Sequence, residues 1–185
     1  MNAGKLILPP ERFQLTLERL CYLILENHCT LENVCIIGIQ ERGVYLAERL
    51  VSTISNIADT TPLRFGKLDI TFYRDDFRRR DTPLRASSTD IDFLVENKNV
   101  ILVDDVLYTG RTVHAAMSAV SDFGRPSRIE LLCMVDRRFN RQFPIRADYV
   151  GITVDSVDAA YVSVEHAHIN GEDRVLLFSG TAQDS

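Results

Sequence analysis

Three features that would place the chain in other classes of protein are missing from its sequence. Its cysteines, Cys21, Cys29, Cys35 and Cys133, contain no C-x-x-C pair, so we expect reduced thiols with structural roles. No apolar run approaches the length of a membrane span, and the first residues lead into charged sequence instead of a signal-peptide core. We therefore expect a cytoplasmic protein. The net charge of −5 argues against a surface coated for nonspecific nucleic-acid binding.

What the sequence does contain suits one globular domain over residues 1–185, since 45% of the residues are hydrophobic and 25% are charged. Apolar residues at helical spacing predict helices over residues 11–27 and 44–57. Apolar runs predict buried strands over residues 34–39, 100–103 and 129–135, and alternation predicts a strand over residues 63–72. Repeated strand–helix–strand units predict an α/β fold whose central parallel sheet is flanked by helices.

The run from Val100 to Thr112 combines a buried strand, two acids, a glycine turn and a helix start. Asp104 and Asp105 are predicted at the carboxyl end of the strand, where parallel sheets bind their ligands. The helix begins after Gly110, which tolerates positive φ, and its first N–H groups and dipole favour a phosphate. This order predicts a sugar-phosphate site. The alternative is an ordinary strand–helix unit with a surface acid pair and a threonine helix cap.

Smaller predictions concern the rest of the chain. Gly124 is expected in a left-handed cap of the helix that follows the acid pair. Short strands are predicted over residues 161–164 and 174–178, with a turn at Asn170-Gly171 between them. The histidines show no spacing typical of a zinc or catalytic set, so we expect structural or exposed roles for His28, His114, His166 and His168.

The run from Val100 to Thr112 resembles the phosphoribosyl pyrophosphate (PRPP) signature of type I phosphoribosyltransferases. Three further segments, over residues 69–76, 124–126 and 144–151, narrow the resemblance to the PyrR family, which comprises pyrimidine-operon attenuation proteins that also act as uracil phosphoribosyltransferases. The similarity extends from about Ile7 to Val164. It implies a type I phosphoribosyltransferase fold with a small C-terminal cap, or hood, over residues 149–178, and Mg²⁺-dependent transfer of phosphoribosyl from PRPP to uracil, giving UMP and pyrophosphate.

The resemblance also implies which residues bind PRPP. The acids would meet the ribose hydroxyls, partly through Mg²⁺, and no direct protein ligand for the metal is expected, only the outer shell at Asp104 and Asp105. The turn after them would bind the 5′-phosphate, and the loop after the 34–39 strand would bind pyrophosphate, with Arg42 as a bidentate clamp. The implied PRPP-binding residues are Glu41, Arg42, Gly43, Asp104, Asp105, Val106, Leu107, Tyr108, Thr109, Gly110, Arg111 and Thr112.

Residues 73–92 are highly charged and show no sustained period, so they are predicted to form a flexible active-site loop. Such a loop could close over PRPP and exclude water. Its predicted functional residues, together with one arginine at the end of the 129–135 strand, are Tyr73, Arg74, Arg78, Arg79, Arg80 and Arg137. Arg74 is grouped with Asp104 and Asp105 as catalytic. For any one arginine of the 78–80 run, solvated surface is the alternative.

The base is expected at Val150, Gly151 and Ile152. Family members usually carry lysine after this glycine, and Ile152 departs from that pattern, which implies weak uracil binding. One alternative is a type I transferase for another base. A second is a uridine-nucleotide-sensing attenuator with weak catalysis, which binds pyrimidine-operon leader RNA as a homodimer or homotetramer. The arginines that could supply its basic face are Arg19, Arg125, Arg128, Arg138, Arg141 and Arg146.

Overall fold

A computed structural model describes residues 4–59, 63–73, 88–155 and 160–179 of the chain. The helices are α1 (Pro10–Asn27), α2 (Arg42–Ala58), α3 (Arg111–Val120) and α4 (Ala167–Asn170), with 3₁₀ turns at Thr71–Tyr73 and Ser121–Phe123. The strands are β1 (Lys5–Leu8), β2 (Val34–Ile39), β3 (Arg64–Leu68), β4 (Asn99–Leu107), β5 (Arg128–Arg137), β6 (Tyr149–Val154), β7 (Ala160–Glu165) and β8 (Arg174–Ser179).

The main sheet has five strands in the order β3-β2-β4-β5-β6, and every neighbouring pair is parallel. Parallel strands covered on both faces are rich in branched apolar residues, and β2 is buried at every position. Alternate residues enter two hydrophobic clusters: Ile36 and Ile101 pack with α1 and α2, whereas Ile37 and Leu102 pack with α3. The predicted α/β fold with a flanked parallel sheet is therefore confirmed.

The first predicted helix is confirmed, because Phe13, Leu17, Leu20 and Ile24 are all buried along one face of α1. The second helix begins at Arg42, two residues before the predicted start. This difference matters for function, since Arg42 lies in the first helical turn instead of in a loop.

A second, three-stranded sheet has the order β1-β8-β7 and is antiparallel. The predicted strands over residues 161–164 and 174–178 lie in it, and the N-terminal strand β1 joins them, which the local sequence did not indicate. Residues 149–154 differ from the predicted boundary of the hood, because β6 pairs with β5 at the edge of the main sheet. The hood therefore consists of β1, β7 and β8.

Three local predictions were wrong. The strand predicted over residues 63–72 is shorter and ends at Leu68, because Asp69 Oδ1 accepts hydrogen bonds from the backbone N–H and the hydroxyl of Thr71 and starts a turn. Gly124 has φ of 125° and ψ of −175°, so it follows a 3₁₀ turn without forming a left-handed helix cap. The β7–β8 connection is not a tight turn, since α4 precedes Gly171. No helix among the described residues is long and apolar enough to span a membrane.

Candidate active site

The acid pair lies inside β4 and not beyond its end. The strand continues through Asp104, which is opposite Cys133 of β5, as far as Leu107, which is opposite Asp136. Val106 and Leu107, which follow the acids, continue the same pairing with β5. Two carboxylates are thereby fixed to a rigid strand.

Both carboxyl groups are held away from solvent. Asp104 is 8% exposed and Asp105 is half-buried. Burial, and then the carboxylate of Asp105, raise the pKa of Asp104 well above its ordinary value. Burial also raises the pKa of Asp105, although the guanidinium of Arg42 acts in the opposite direction. A pair of this kind is stabilised by a cation or by hydroxyl donors that approach its oxygens.

Arg42 links the acid pair to the loop after β2. Its Nη1 atom lies 3.7 Å from Asp105 Oδ2. Burial lowers the pKa of Arg42, but the carboxylate of Asp105 and a hydrogen bond with Tyr161 of the hood together raise it by more than burial lowers it. The net pKa therefore lies above its ordinary value. Glu41, at the position preceding α2, is exposed and makes no side-chain cap, and the Gln40–Glu41 peptide bond is cis.

Gly43 is required for a different contact from the one predicted. The sequence suggested that its lack of a side chain lets the backbone approach an anion. In the structure, a Cβ atom on Gly43 would lie 2.3 Å from the carbonyl oxygen of Val103 and 3.1 Å from Asp104 Cα. The first turn of α2 therefore packs directly on β4, which brings Arg42 beside the acid pair.

The glycine turn has the predicted conformation. Gly110 has φ of 88° and occupies the position immediately before α3. The Thr109 hydroxyl oxygen, one residue before Gly110, accepts a long hydrogen bond of 3.4 Å from the Arg111 N–H, so the threonine contact of the alternative interpretation is present but weak. The exposed Arg111 and half-buried Thr112 begin α3. The helix N-terminus thus keeps donors and a positive dipole end for an anion.

The carbonyl side of the same turn is occupied by the connection between β5 and β6. Arg141 donates from its guanidinium to the Tyr108 carbonyl and to the Asp136 carboxylate. The Thr109 carbonyl accepts from the backbone N–H groups of Gln142, at 2.9 Å, and Phe143, at 3.1 Å. The turn is therefore held from behind by a segment about thirty residues further along the chain.

Arg137 ends β5 at the same sheet edge and is 6% exposed. Its guanidinium carbon lies 3.8 Å from the ring centroid of Tyr108, a cation–π contact. Arg138, the next residue, points to solvent and pairs with Asp155 at 2.9 Å. Arg137, the arginine predicted to bind pyrophosphate, is thus packed against the glycine turn.

The predicted base residues lie on the edge strand β6. Val150 is opposite Cys133 and Ile152 is opposite Val135, and both side chains pack against the core. A Cβ atom on Gly151 would lie 2.4 Å from the carbonyl oxygen of Met134, so a close approach of β5 requires this glycine. Arg19, a predicted RNA contact, donates to the Val150 and Gly151 carbonyls at 3.2 and 2.6 Å.

Several predicted residues belong to the loop after β3. Tyr73 ends a 3₁₀ turn, is exposed and donates to Asp122. Of the predicted 73–92 loop, residues 88–92 are also described. Asp90 pairs with Lys67 through the backbone in an isolated antiparallel β-bridge. Arg74, Arg78, Arg79 and Arg80 lie outside the described residues, and their roles stay predictions.

Sequence reasoning missed three side-chain contacts that support the site. Tyr161 contacts Arg42, and Arg141 pairs with Asp136 and donates to the Tyr108 carbonyl. Tyr161 comes from the hood, about 120 residues after Arg42, and nothing local signals their approach. A weak signal did exist for Arg141, because an arginine and an acid flank the end of β5. Their spacing of five residues does not reveal that both meet the turn after β4.

The structure also bears on Mg²⁺. Among the described residues, no group of three or more histidine, cysteine or acidic side chains is placed to hold a metal ion. The two desolvated carboxylates of Asp104 and Asp105 offer only part of an octahedral shell. This fits a cation that keeps waters and takes its other oxygens from a substrate.

Comparison with known proteins places this site in a class. The phosphoribosyl transferase domain family matches residues 7–168. Hypoxanthine phosphoribosyltransferases have the same fold: that of Staphylococcus aureus superposes with a TM-score of 0.70 at 18% identity, covering 97% of this chain and 92% of that chain. The Trypanosoma cruzi enzyme gives 0.71 at 16% identity, covering 96% and 98%. The fold is therefore that of type I phosphoribosyltransferases.

Closer relatives narrow the assignment. Proteins named "Bifunctional protein PyrR" are 43% identical in Elusimicrobium minutum, over 94% of this chain and 96% of the relative. In Actinobacillus pleuropneumoniae the identity is 44%, over 94% and 96%. In Chloroflexus aurantiacus it is 41%, over 100% of both chains. The chain belongs to the PyrR family of phosphoribosyl transferase domain proteins, as its sequence motifs predicted.

Proposed function

We propose that the protein transfers the phosphoribosyl group of PRPP to uracil, giving UMP and pyrophosphate. One observation carries the proposal: a single strand–turn–helix unit combines the Asp104–Asp105 pair with an α3 N-terminus whose capping position is Gly110, a residue without a side chain. Acids that accept from ribose hydroxyls and N–H groups that donate to a phosphate are what a ribose 5-phosphate requires. Membership of the phosphoribosyl transferase domain family supports the same substrate class.

PRPP would bind along the carboxyl edge of the sheet. The 5′-phosphate would accept hydrogen bonds from the turn and helix start, over residues 106–112, and the ribose hydroxyls would donate to Asp104 and Asp105. The pyrophosphate would face the loop over residues 41–43, where Arg42 offers a planar guanidinium, and Arg137 would contribute from the end of β5. These positions lie at the carboxyl ends of β2, β4 and β5, which are parallel neighbours in the sheet and end at the same edge.

Displacement at C1′ breaks the bond to the pyrophosphate oxygen, which leaves with the electron pair, and forms a bond to N1 of uracil, which releases its proton to water. The ribose becomes cationic in the transition state while the leaving group gains negative charge. The carboxylates of Asp104 and Asp105 stabilise the first charge, and Arg42 and Arg137 stabilise the second. Because these groups are already positioned by β4, α2 and β5, little reorganisation accompanies the reaction.

Mg²⁺ fits this arrangement as a substrate-bound ion. Asp104 and Asp105 would hold its waters in an outer shell, which would also relieve the repulsion between their desolvated charges. The ion would neutralise charge on the departing pyrophosphate.

Uracil would be recognised beside β6, through backbone groups near Val150 and Gly151 and the apolar wall that includes Ile152. Because the solved structures with the same fold are named hypoxanthine phosphoribosyltransferases, the experiment compares uracil with purine bases as acceptors. We expect PRPP- and Mg²⁺-dependent release of pyrophosphate with uracil, and none with hypoxanthine, guanine or orotate. Turnover with a purine and none with uracil would overturn the uracil proposal and leave the transferase proposal standing.

The same test has an internal control. The double variant Asp104→Asn/Asp105→Asn should abolish turnover with every base while remaining folded, because amide groups cannot supply the two negative charges. Unchanged PRPP affinity and rate in this variant would contradict the assignment of the site itself.

A second candidate function is binding of pyrimidine-operon leader RNA by a homodimer or homotetramer, and the exposed arginines favour it. Arg125 and Arg146 are exposed just before β5 and β6, and Arg138 is exposed just after β5, at the opposite edge of the sheet, whereas Arg19 and Arg141 are engaged in contacts with backbone carbonyls. We expect Arg138→Gln to weaken specific, salt-sensitive RNA binding. Tight binding of arbitrary RNA, or no effect of this change on leader binding, would contradict the candidate.

A further inference from the structure

We propose that Arg141 is a positioning residue for the phosphate turn: held by Asp136, it fixes the Tyr108 carbonyl so that the next N–H groups face the 5′-phosphate. The inference rests on the proposed function, because it assigns a role within PRPP binding.

The first support is the set of bonds made by the guanidinium. One Nη atom of Arg141 donates to the Tyr108 carbonyl, and the other donates to the Asp136 carboxylate. The two side chains are 19% and 16% exposed, so their charge-assisted hydrogen bonds are largely shielded from solvent. Asp136 is itself fixed in β5, opposite Leu107 of β4. The Tyr108 carbonyl is therefore tied to the sheet and not to a mobile surface group.

The second support is the geometry of a trans peptide unit, in which the C=O and N–H groups point in opposite directions. The Tyr108 carbonyl shares its peptide unit with the Thr109 N–H, and the Thr109 carbonyl shares its unit with the Gly110 N–H. The first carbonyl accepts from Arg141, and the second accepts from the N–H groups of Gln142 and Phe143. With both carbonyls directed to the β5–β6 connection, both N–H groups are directed to the opposite side of the turn.

The third support is that the same connection also packs against the turn. Phe143 stacks on His114 of α3, with ring centroids 4.4 Å apart and an interplanar angle of 26°. A Cβ atom on Gly110 would lie 3.2 Å from Phe143 Cβ and 3.4 Å from Ile145 Cδ1. The connection thus forms a wall behind the turn, and Arg141 is its charged contact.

The test compares Arg141→Gln with Arg174→Gln. Arg174→Gln is a matched control, because it also removes an arginine–carboxylate pair. Arg174 lies in the hood, where its Nε atom is 2.6 Å from the Glu165 carboxylate. Calorimetric titration with PRPP and Mg²⁺ should show about ten- to a hundredfold weaker binding for Arg141→Gln, as expected when a hydrogen bond to a charged group is lost, and no change for the control. The KM for PRPP should rise by the same factor while kcat stays within about twofold, since the lost interaction serves ground state and transition state alike.

Two further measurements separate positioning from a general loss of structure. Arg141→Lys keeps one cationic donor and should recover part of the PRPP affinity. In amide NMR spectra, inorganic phosphate should shift the Thr109 and Gly110 N–H resonances of the wild-type protein, and these shifts should shrink in Arg141→Gln. A lower melting temperature with unchanged PRPP affinity would mean that Arg141 is only structural, and would overturn the inference.

The outcomes also separate this inference from the proposed function. If the wild-type protein does not bind PRPP, the proposed function fails. If the wild type binds PRPP and Arg141→Gln binds it equally well, the function stands and the inference is overturned. Equal losses in Arg141→Gln and Arg174→Gln would also overturn it, because they would indicate a general effect of net charge.

Discussion

Arg42 Nη1 lies 3.7 Å from Asp105 Oδ2, which joins the start of α2 to the acid pair of β4. The contact exists because Gly43 lets α2 pack on the backbone of β4. It leaves the guanidinium half-exposed at the sheet edge, with its remaining donors available for an anion. A guanidinium and an anionic pair are thus adjacent, as the proposed binding of a substrate with both phosphates and hydroxyls requires.

Asp104→Asn should raise the stability of the protein while weakening PRPP binding. The raised pKa of Asp104 means that its charge is disfavoured in the folded protein, so removing it raises the free energy of unfolding at pH 7. The gain should vanish below the ordinary carboxyl pKa of about 3.9, where the unfolded chain is also protonated. PRPP affinity should fall about ten- to a hundredfold. Thermal unfolding and PRPP titration check the two effects.

The exposed Asp155→Asn is the control, and it should change neither PRPP affinity nor the melting temperature by much, since its pair with Arg138 lies on the surface. A destabilised Asp104→Asn variant would show that the carboxylate is held for structure.

Gly110→Val should abolish PRPP binding, and Gly171→Val should not. Both glycines have positive φ, at 88° and 85°, so a β-branched residue costs about 1–2 kcal/mol of backbone strain at each. Only at Gly110 would the added side chain also meet a neighbour, since its Cβ atom would lie 3.2 Å from Phe143 Cβ. No described atom lies within 4 Å of a Cβ atom on Gly171. PRPP titration of both variants, each shown to be folded by circular dichroism, is the measurement. Equal PRPP affinity in the two would mean that the turn does not hold phosphate.

Ile152→Lys should strengthen UMP binding or raise uracil transferase activity. Ile152 is half-buried, and a lysine stem could cover the same apolar surface while its ammonium reaches the nucleotide. A gain of about 1 kcal/mol, or roughly fivefold, is expected if the ammonium stays in solvent. Thr153→Lys adds the same charge on the exposed, opposite face of β6 and is the control. Calorimetry with UMP distinguishes them; robust wild-type activity that Ile152→Lys does not improve would show that Ile152 is a neutral packing change.

Stability should fall on acidification because of His166. The side chain is buried, packs against Phe13 and Tyr45, and finds no hydrogen-bond partner for either ring nitrogen among the described residues. Burial lowers its pKa from 6.5 to about 4; the charged and titratable groups that face it are Asp173, His168, Arg49 and Arg42.

Because the folded pKa is the lower one, the unfolded chain binds the proton first, and stability is lost as the pH falls from 6.5 towards 4. The slope from this group approaches about 1.4 kcal/mol per pH unit. His166→Phe should flatten this part of the stability curve, measured by urea unfolding between those pH values, whereas replacement of the exposed His168 by glutamine should not. An unchanged slope in His166→Phe would assign the acid sensitivity to other groups.

Much of the fold was predictable because it depends on local patterns. Helical spacing located α1, continuous apolar runs located β2, β4 and β5, and the order of strand, acids and glycine located the turn between β4 and α3. Strand and helix periods are properties of neighbouring residues, and the positive φ of Gly110 follows from a turn that only glycine forms readily. The motifs likewise identified the family.

Tertiary packing decided the rest, because the contacts involved join residues far apart in the chain. Nothing near Lys5 indicates that β1 completes the hood beside β8, and nothing near Tyr149 separates β6 from that hood. Local sequence likewise suggested that Arg141 faces a partner. The structure shows that its guanidinium donates to the Tyr108 carbonyl, a contact that no local pattern indicates because the two residues are about thirty positions apart. The residue types were therefore readable from the sequence alone, whereas the direction in which each side chain acts was set by the elements that surround it.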